Sequence, residues 1–325
     1  GSEMCIRDRP GSDPYHPLHR QKTDRKGGLV MLTQKKKFKF PQISSVCING
    51  IMVFVLLVVL VPMLNLVAKS FSDPAKVAGM PGWQIIPAGF SLINYEIIFS
   101  NPAIWRALLN SVFITVVGVA LNVVVTSMAA YAMTRPVLPG KKLFMAFFIM
   151  MMIFEPGIIQ EYFVIKGLGL MDNLWSMVLY NTVTVYNLIL LMRFFSDTPE
   201  AILEAAAIDG AGHLNILFKV FLPMNKIPIM TVGMFYAVAR WNEFFRSSVF
   251  LTSNKNTVLQ VFLRRFVVEG DSTVLASLGN IDLTGVNMTS LKSATIVVVI
   301  LPILCMYPFI LKHYTSGVMQ GGVKE

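Results

Sequence analysis

Glu204-Ala-Ala-Ala-Ile-Asp-Gly210, followed by Val220-Phe-Leu-Pro223, is a polar, helix-forming stretch set between two long apolar runs. Its spacing is E-A-A, three residues, G, nine residues, then V-x-L-P. Asp197 and Thr198 can cap a helix whose first position is Pro199, and Glu200 falls in the first turn, where the helix dipole favours a carboxylate. Gly210 breaks that helix. A second amphipathic segment runs from about Leu214 to Phe221, and Pro223 stops it. The expected product is a short helix-turn-helix lying on a membrane surface, a shape suited to being gripped.

Composition places the rest of the chain in the membrane. Of its 325 residues, 54% are hydrophobic and only 14% charged, and the mean hydropathy is +0.62; a soluble surface needs more charge. The formal charge of +10 could signal nucleic acid, but much of the basic excess sits beside apolar runs, where it sets orientation in the membrane. Nucleic acid is therefore not an expected partner. Cys5, Cys47 and Cys305 have no metal or disulfide spacing, and the 20 methionines read as packing residues rather than metal ligands. Residues 1–30 differ from all that follows and read as a non-native or disordered leader ahead of Met31. A basic cytoplasmic segment, 31–45, comes next, and residues 46–325 form one membrane domain. The first apolar run is long enough to span and lacks a convincing cleavage site.

A bilayer crossing needs about 20 mostly apolar residues. Six such runs are present: Val46–Val67, Ala107–Met133, Leu143–Phe163, Leu174–Phe195, Ile227–Val249 and Leu291–Leu311. The expected fold is an all-α bundle of six membrane helices, because hydrocarbon offers backbone amides no other partner. Lys35, Lys36, Lys37 and Lys39 precede the first run, Arg135, Lys141 and Lys142 fill the second loop, and Lys219 and Lys226 flank the fifth run. Both termini and the 197–226 loop are thus expected in the cytoplasm. The outer loops are then Ser70–Arg106, a short turn at Gly167–Asn173, and Leu251–Ser290, whose Arg264 and Arg265 the rule tolerates without predicting. The first of these, with Pro74, Pro81, Trp83 and Pro87, reads as an irregular cap containing a short interfacial helix.

With these features in place, the chain resembles the membrane-spanning permease subunits of ATP-binding-cassette (ABC) importers, whose cytoplasmic loop carries E-A-A-x3-G-x9-I-x-L-P. Glu204, Ala205, Ala206, Gly210, Leu222 and Pro223 match that pattern, and Val220 conservatively replaces isoleucine. Gly167-Leu-Gly-Leu-Met-Asp-Asn-Leu-Trp175, Tyr236-Ala-Val-Ala-Arg-Trp-Asn-Glu-Phe244 and Gly321-Gly-Val-Lys324 are similar to the maltose-type carbohydrate permeases, most of all to those for oligosaccharides or polysaccharide fragments. The resemblance covers roughly residues 40–325. It implies a loop, 197–226, that docks into an ATPase groove. Glu204 would pair with a basic residue there, Ala205 and Ala206 would permit close approach, and Gly210 would make the turn, with Asp209, Leu222 and Pro223 completing the site. It also implies a second homologous permease, two ATP-binding subunits that use ATP and Mg, and an extracellular or periplasmic solute-binding protein. The cargo would be a sugar, and the location the bacterial cytoplasmic membrane. The tail, Gln320–Lys324, is either a second ATPase contact or a frayed terminus.

The residues add limits of their own. The chain has no G-x-x-x-x-G-K-[ST] loop, and Gly140-Lys141-Lys142 lacks both the earlier glycine and the hydroxyl. It is expected to bind no cofactor and to be no enzyme by itself; His16, His19, His213 and His313 are dispersed and pair with no nucleophile at recognisable spacing. Charge inside a membrane run is costly, about 2.5–3.5 kcal/mol per residue on insertion scales, and so faces a cavity or a partner. Arg240 and Glu243, three residues apart in the fifth run, can pair along one helix face. With Tyr236, Trp241 and Asn242 they supply the donors, acceptors and aromatic faces that a sugar pathway needs. An internal ion pair with Trp241 as an interfacial aromatic fits the same residues. Glu155-Pro-Gly157, followed by Gln160, Glu161 and Tyr162, is either a break at the pathway or the early end of a helix. Asn187, like Asn122 and Thr126, is either a pathway group or an interhelical hydrogen bond. An ion-coupled secondary transporter, an ABC permease for another solute and a membrane receptor or scaffold are the rival classes.

Overall fold

The computed structural model describes residues 43–136, 138–270 and 287–321. The leader, most of the basic segment, part of the last outer loop and the end of the tail lie outside the described residues. The chain divides into two units, 1–54 and 55–325. Of the first, the described part is the opening of helix α1 (Ile43–Ser70).

The larger unit continues α1, whose Val55–Leu60 are all exposed, as befits an apolar helix facing lipid. Two short helices follow in the loop over residues 70–106, α2 (Pro74–Val77) and α3 (Ile93–Ser100), one more than the sequence led us to expect. Asn65 holds the loop by donating to the carbonyls of Pro81 at 3.0 Å and Gln84 at 2.7 Å. Helix α4 (Pro102–Thr134) is the axis of the bundle. Asn101 caps it by accepting from the Ala103 amide at 2.8 Å, and Pro102 occupies the first turn. Against α4 pack α8 (Val185–Ser196) and α11 (Lys226–Asn242). Gly233 of α11 permits the close crossing, since a Cβ there would lie 3.1 Å from Val123 Cγ2.

Three of the six apolar runs are broken rather than continuous. The third forms α5 (Lys141–Ile153) and α6 (Ile158–Gly167), bent 117° apart at Glu155-Pro156-Gly157. Pro156 offers no amide to the ladder, so the break is local in origin. The fourth is not one helix over Leu174–Phe195. It forms α7 (Leu174–Leu179) and then α8, separated by Tyr180–Thr184 with Asn181 at φ 49°. The fifth ends its main helix at Asn242, and a short α12 (Phe245–Phe250) follows Glu243 and Phe244. Then come α13 (Leu259–Arg264), continued by a π-type turn at Arg265–Glu269, and α14 (Met288–Gly321), which contains Pro302 and Pro308. Among the described residues, three helices can cross a membrane by length and composition, or up to five when each bent pair counts as one crossing. The molecule is a multi-pass membrane helical bundle.

Candidate functional site

The loop over 197–226 forms two helices, α9 (Glu200–Ile208) and α10 (His213–Met224), the latter with π-type winding over Ile216–Phe221. Helix α9 starts at Glu200, with Pro199 as its uncapped preceding residue. This corrects the expectation that Asp197 or Thr198 caps a helix beginning at Pro199. Thr198 instead bonds the side chain of Asn225, at 3.0 and 3.2 Å, and closes the neck of the loop. Asn225 also donates to the Phe221 carbonyl at 3.0 Å. At the other end of α9 the Gly210 amide donates to the Ala207 carbonyl at 3.0 Å, and the Ala211 amide to Ala206 at 3.1 Å. This is a Schellman turn, and it requires the left-handed φ of +81° that Gly210 adopts.

One face of this hairpin is welded to the bundle. Leu203, Ile216, Leu217 and Phe221 are buried with Tyr131, Met133 and Phe195 in one apolar cluster. The Phe221 ring lies 4.7 Å from that of Phe195 and 5.0 Å from that of Tyr131, edge-on, as aromatic quadrupoles prefer. The Arg135 guanidinium stacks 4.7 Å from the centre of Tyr131. The opposite face is exposed and carries Glu204 and Ala205 together with Ile208, which is 86% exposed, and Leu214. The buried face ties the hairpin to α4 through Tyr131 and Met133 and to α8 through Phe195.

The second constellation lies where the broken runs meet. Arg240, only 9% exposed, donates to the carbonyls of Met177, Val178 and Tyr180 and, at 3.2 Å, to Asn122 Oδ1. Gly118 leaves room for it, since a Cβ there would stand 3.4 Å from Arg240 Nε. The carbonyls freed where α7 ends are thus satisfied by a guanidinium fork. Arg246 bonds Glu161 through Nε at 2.8 Å and Nη2 at 3.2 Å. Glu243 lies 3.7 Å and Glu155 3.8 Å from the same guanidinium. Tyr180 donates to Glu161 Oε1 at 3.0 Å, and its ring lies 4.9 Å beneath Arg246. A cavity of about 330 Å³ opens here, lined by Met151, Glu155, Glu161, Tyr180, Asn181 and Tyr186 among others. A smaller one of about 60 Å³ shares Tyr180, Asn181 and Thr184 with it and reaches Tyr236, Arg240 and Glu243.

No family model matches the chain. It is 34% identical to the polygalacturonan/rhamnogalacturonan transport system permease protein YtcP of Bacillus subtilis, over 87% of this chain and 99% of that protein. It is 35% identical to protein LplC of the same organism, over 82% of this chain and 90% of that protein. The chain belongs to the sugar ABC-transporter permeases. A bacterial ABC transporter involved in the import of the acidic polysaccharide alginate has a chain that superposes with a TM-score of 0.76 at 27% identity, covering 84% of this permease and 99% of itself.

The permease therefore combines some of the residues singled out in its sequence and separates others. Glu204, Ala205, Ala206, Asp209, Gly210, Leu222 and Pro223 lie on or beside one hairpin, with Ala206 and Leu222 packed inward against its apolar cluster. Glu155 lines the larger cavity, and Tyr236, Arg240 and Glu243 line the smaller. Trp241 does not. It is 4% exposed in an apolar cluster with Leu259 and Leu291, and its indole Nε1 has no partner among the described residues. Asn242 is exposed and bonds back to the Val238 carbonyl at 2.9 Å, and Asn187 is buried in α8, lining neither cavity. The Arg240–Glu243 pair does not form; each residue has a different partner, because the helix ends between them and Glu243 swings toward Arg246. Arg246, Tyr180 and Asn181 were missed. The available signal for Arg246 was its own three-residue spacing from Glu243, equal to that of Arg240.

Proposed function

We propose that this chain is the permease subunit of an ATP-driven importer of oligosaccharides in the bacterial cytoplasmic membrane. It would cross six times, counting α7 with α8 as one interrupted crossing, with both termini in the cytoplasm. A second homologous permease, two ATPase subunits using ATP and Mg, and an external solute-binding protein complete the assembly in this reading. The hairpin is the coupling element, with Glu204 and the exposed Ala205 and Ile208 facing an ATPase groove. Closure of the ATPase dimer would move the hairpin, and through Phe221 the bundle, turning the cavity near Glu155, Tyr236, Arg240 and Glu243 outward; reopening would release cargo inward. The observation that carries this reading is the two-faced hairpin, buried against Tyr131 and Phe195 on one side and bare on the other.

The test is disulfide cross-linking of an Ala205→Cys variant to cysteines placed along the partner ATPase's groove, beside oligosaccharide uptake by proteoliposomes. Cross-links that change between nucleotide-free and ATP-bound states are expected, with uptake that stops on ATP depletion. A hairpin that cross-links nowhere, or uptake that continues under an ion gradient without ATP, would overturn the assignment in favour of an ion-coupled carrier.

A further inference from the structure

The carboxylates around the broken runs outnumber the cations that face them. Glu155, Glu161 and Glu243 surround Arg246, while the second guanidinium, that of Arg240, is turned away to Asn122 and backbone carbonyls. Glu161 holds Arg246 in two hydrogen bonds. That leaves Glu155 as the least engaged of the three, with its side chain 80% exposed. The charged residues lining the 330 Å³ cavity are Glu155 and Glu161; the single guanidinium of Arg246 stands behind them, bonded to Glu161 and 3.8 Å from Glu155, so the wall keeps an excess of negative charge. A carboxylate as exposed as Glu155, in a break between two apolar helices, cannot face hydrocarbon and calls for water or a ligand. Its neighbours in the wall are Tyr180, whose hydroxyl is donated to Glu161, with Asn181, Thr184 and Tyr186. Ionised carboxylates only accept hydrogen bonds, so they match hydroxyl donors. The cavity falls within the roughly 300–1,000 Å³ range of ligand pockets.

Resting on the carbohydrate-importer reading above, we propose that this cavity is a sugar subsite carried by this chain, and that Glu155 makes it select uncharged sugar units over uronates. A neutral pyranose can donate hydroxyls to Glu155 and lay its apolar face on Tyr180 or Tyr186. A uronate brings a third carboxylate to a wall that already holds Glu161, paired with Arg246, and the more exposed Glu155, and juxtaposed like charges oppose binding. Fragments of an acidic polysaccharide would have to place their carboxylates against another part of the pathway.

The experiment measures binding of trigalactoside and trigalacturonate to the purified permease–ATPase complex in nanodiscs, without the solute-binding protein. The expected result is preference for the neutral sugar by about tenfold or more, narrowing toward parity in Glu155→Gln through a gain for the uronate. Tighter uronate binding by the wild type, an unchanged gap in the variant, or binding of neither sugar would overturn the proposal. Oligosaccharide uptake by whole cells separates the two readings. Uptake that persists while the gap is unchanged removes only the subsite, and a complex that imports no oligosaccharide removes the carbohydrate function as well.

Discussion

Gly210 separates two explanations of the E-A-A-x3-G pattern, one backbone and one steric. Its φ is +81°, and a Cβ built there meets nothing within 4 Å. Within this chain a side chain at 210 therefore creates no clash, and its whole cost is that of forcing an L-residue into the left-handed region, about 1–2 kcal/mol. A penalty of that size changes the population of the closed Schellman turn by a factor of about 5–30. Asparagine tolerates the left-handed region better than alanine or valine does. The expected order of coupled transport is thus Gly, then Asn, then Ala, then Val, with membrane insertion equal throughout. The assay is oligosaccharide uptake per ATP hydrolysed in proteoliposomes containing the full complex, with insertion checked by accessibility labelling of the outer loops. If Gly210→Asn proves as damaging as Gly210→Val, the residue is needed for its smallness against a partner surface and the conformational argument fails. Full activity of Gly210→Val would remove both explanations.

Arg240→Lys replaces a fork with a point charge, leaving at least one of the Met177, Val178 and Tyr180 carbonyls without its donor, at about 1–3 kcal/mol; an unchanged melting midpoint for the detergent-purified complex would contradict this. Glu161→Gln and Arg246→Met should each destabilise by about 1–3 kcal/mol, and the double variant by less than their sum, because the two side chains share one bidentate contact. Strict additivity in a double-mutant cycle would mean that the pair is not formed. Asp172, in the turn between α6 and α7, accepts from the Ser253 amide at 2.9 Å, and that hydrogen bond, ahead of the contacts from Asn256, holds its carboxyl below the ordinary carboxylate range. A lowered folded-state pKa contributes stability above the unfolded value of about 3.9, lost as pH falls through the folded value. Protection of the Ser253 amide, its exchange rate relative to the intrinsic rate at the same pH, should therefore fall only below about pH 4, and Asp172→Asn should abolish that dependence. Loss of protection that begins near neutral pH would point to a different group.

The hairpin was legible because its determinants are local. Alanine-rich helix propensity, a glycine that alone enters the left-handed turn easily, and a proline at the far end of the second helix all act within a few residues of one another. Membrane residence was legible for a similar reason, since hydropathy is a property of a segment taken by itself. The break at Pro156 and Gly157 also carried its own signal, though not its angle. The interruption of the fourth run did not: Tyr180–Thr184 contains neither proline nor glycine. Its carbonyls leave the helical ladder because Arg240, 60 residues away, donates to Tyr180 in place of an amide of the next turn. Glu243 likewise has arginines three residues before and three residues after it, and spacing along the chain cannot choose between them. Folding chooses, by ending α11 at Asn242 and bringing Glu161 from another segment to the second arginine. Sequence alone determined which stretches are apolar enough for a bilayer and where the hairpin between two of them turns. Tertiary structure decided where the charged side chains within those stretches find their partners, because a buried donor is satisfied by whatever acceptor packing brings near, however distant in the chain.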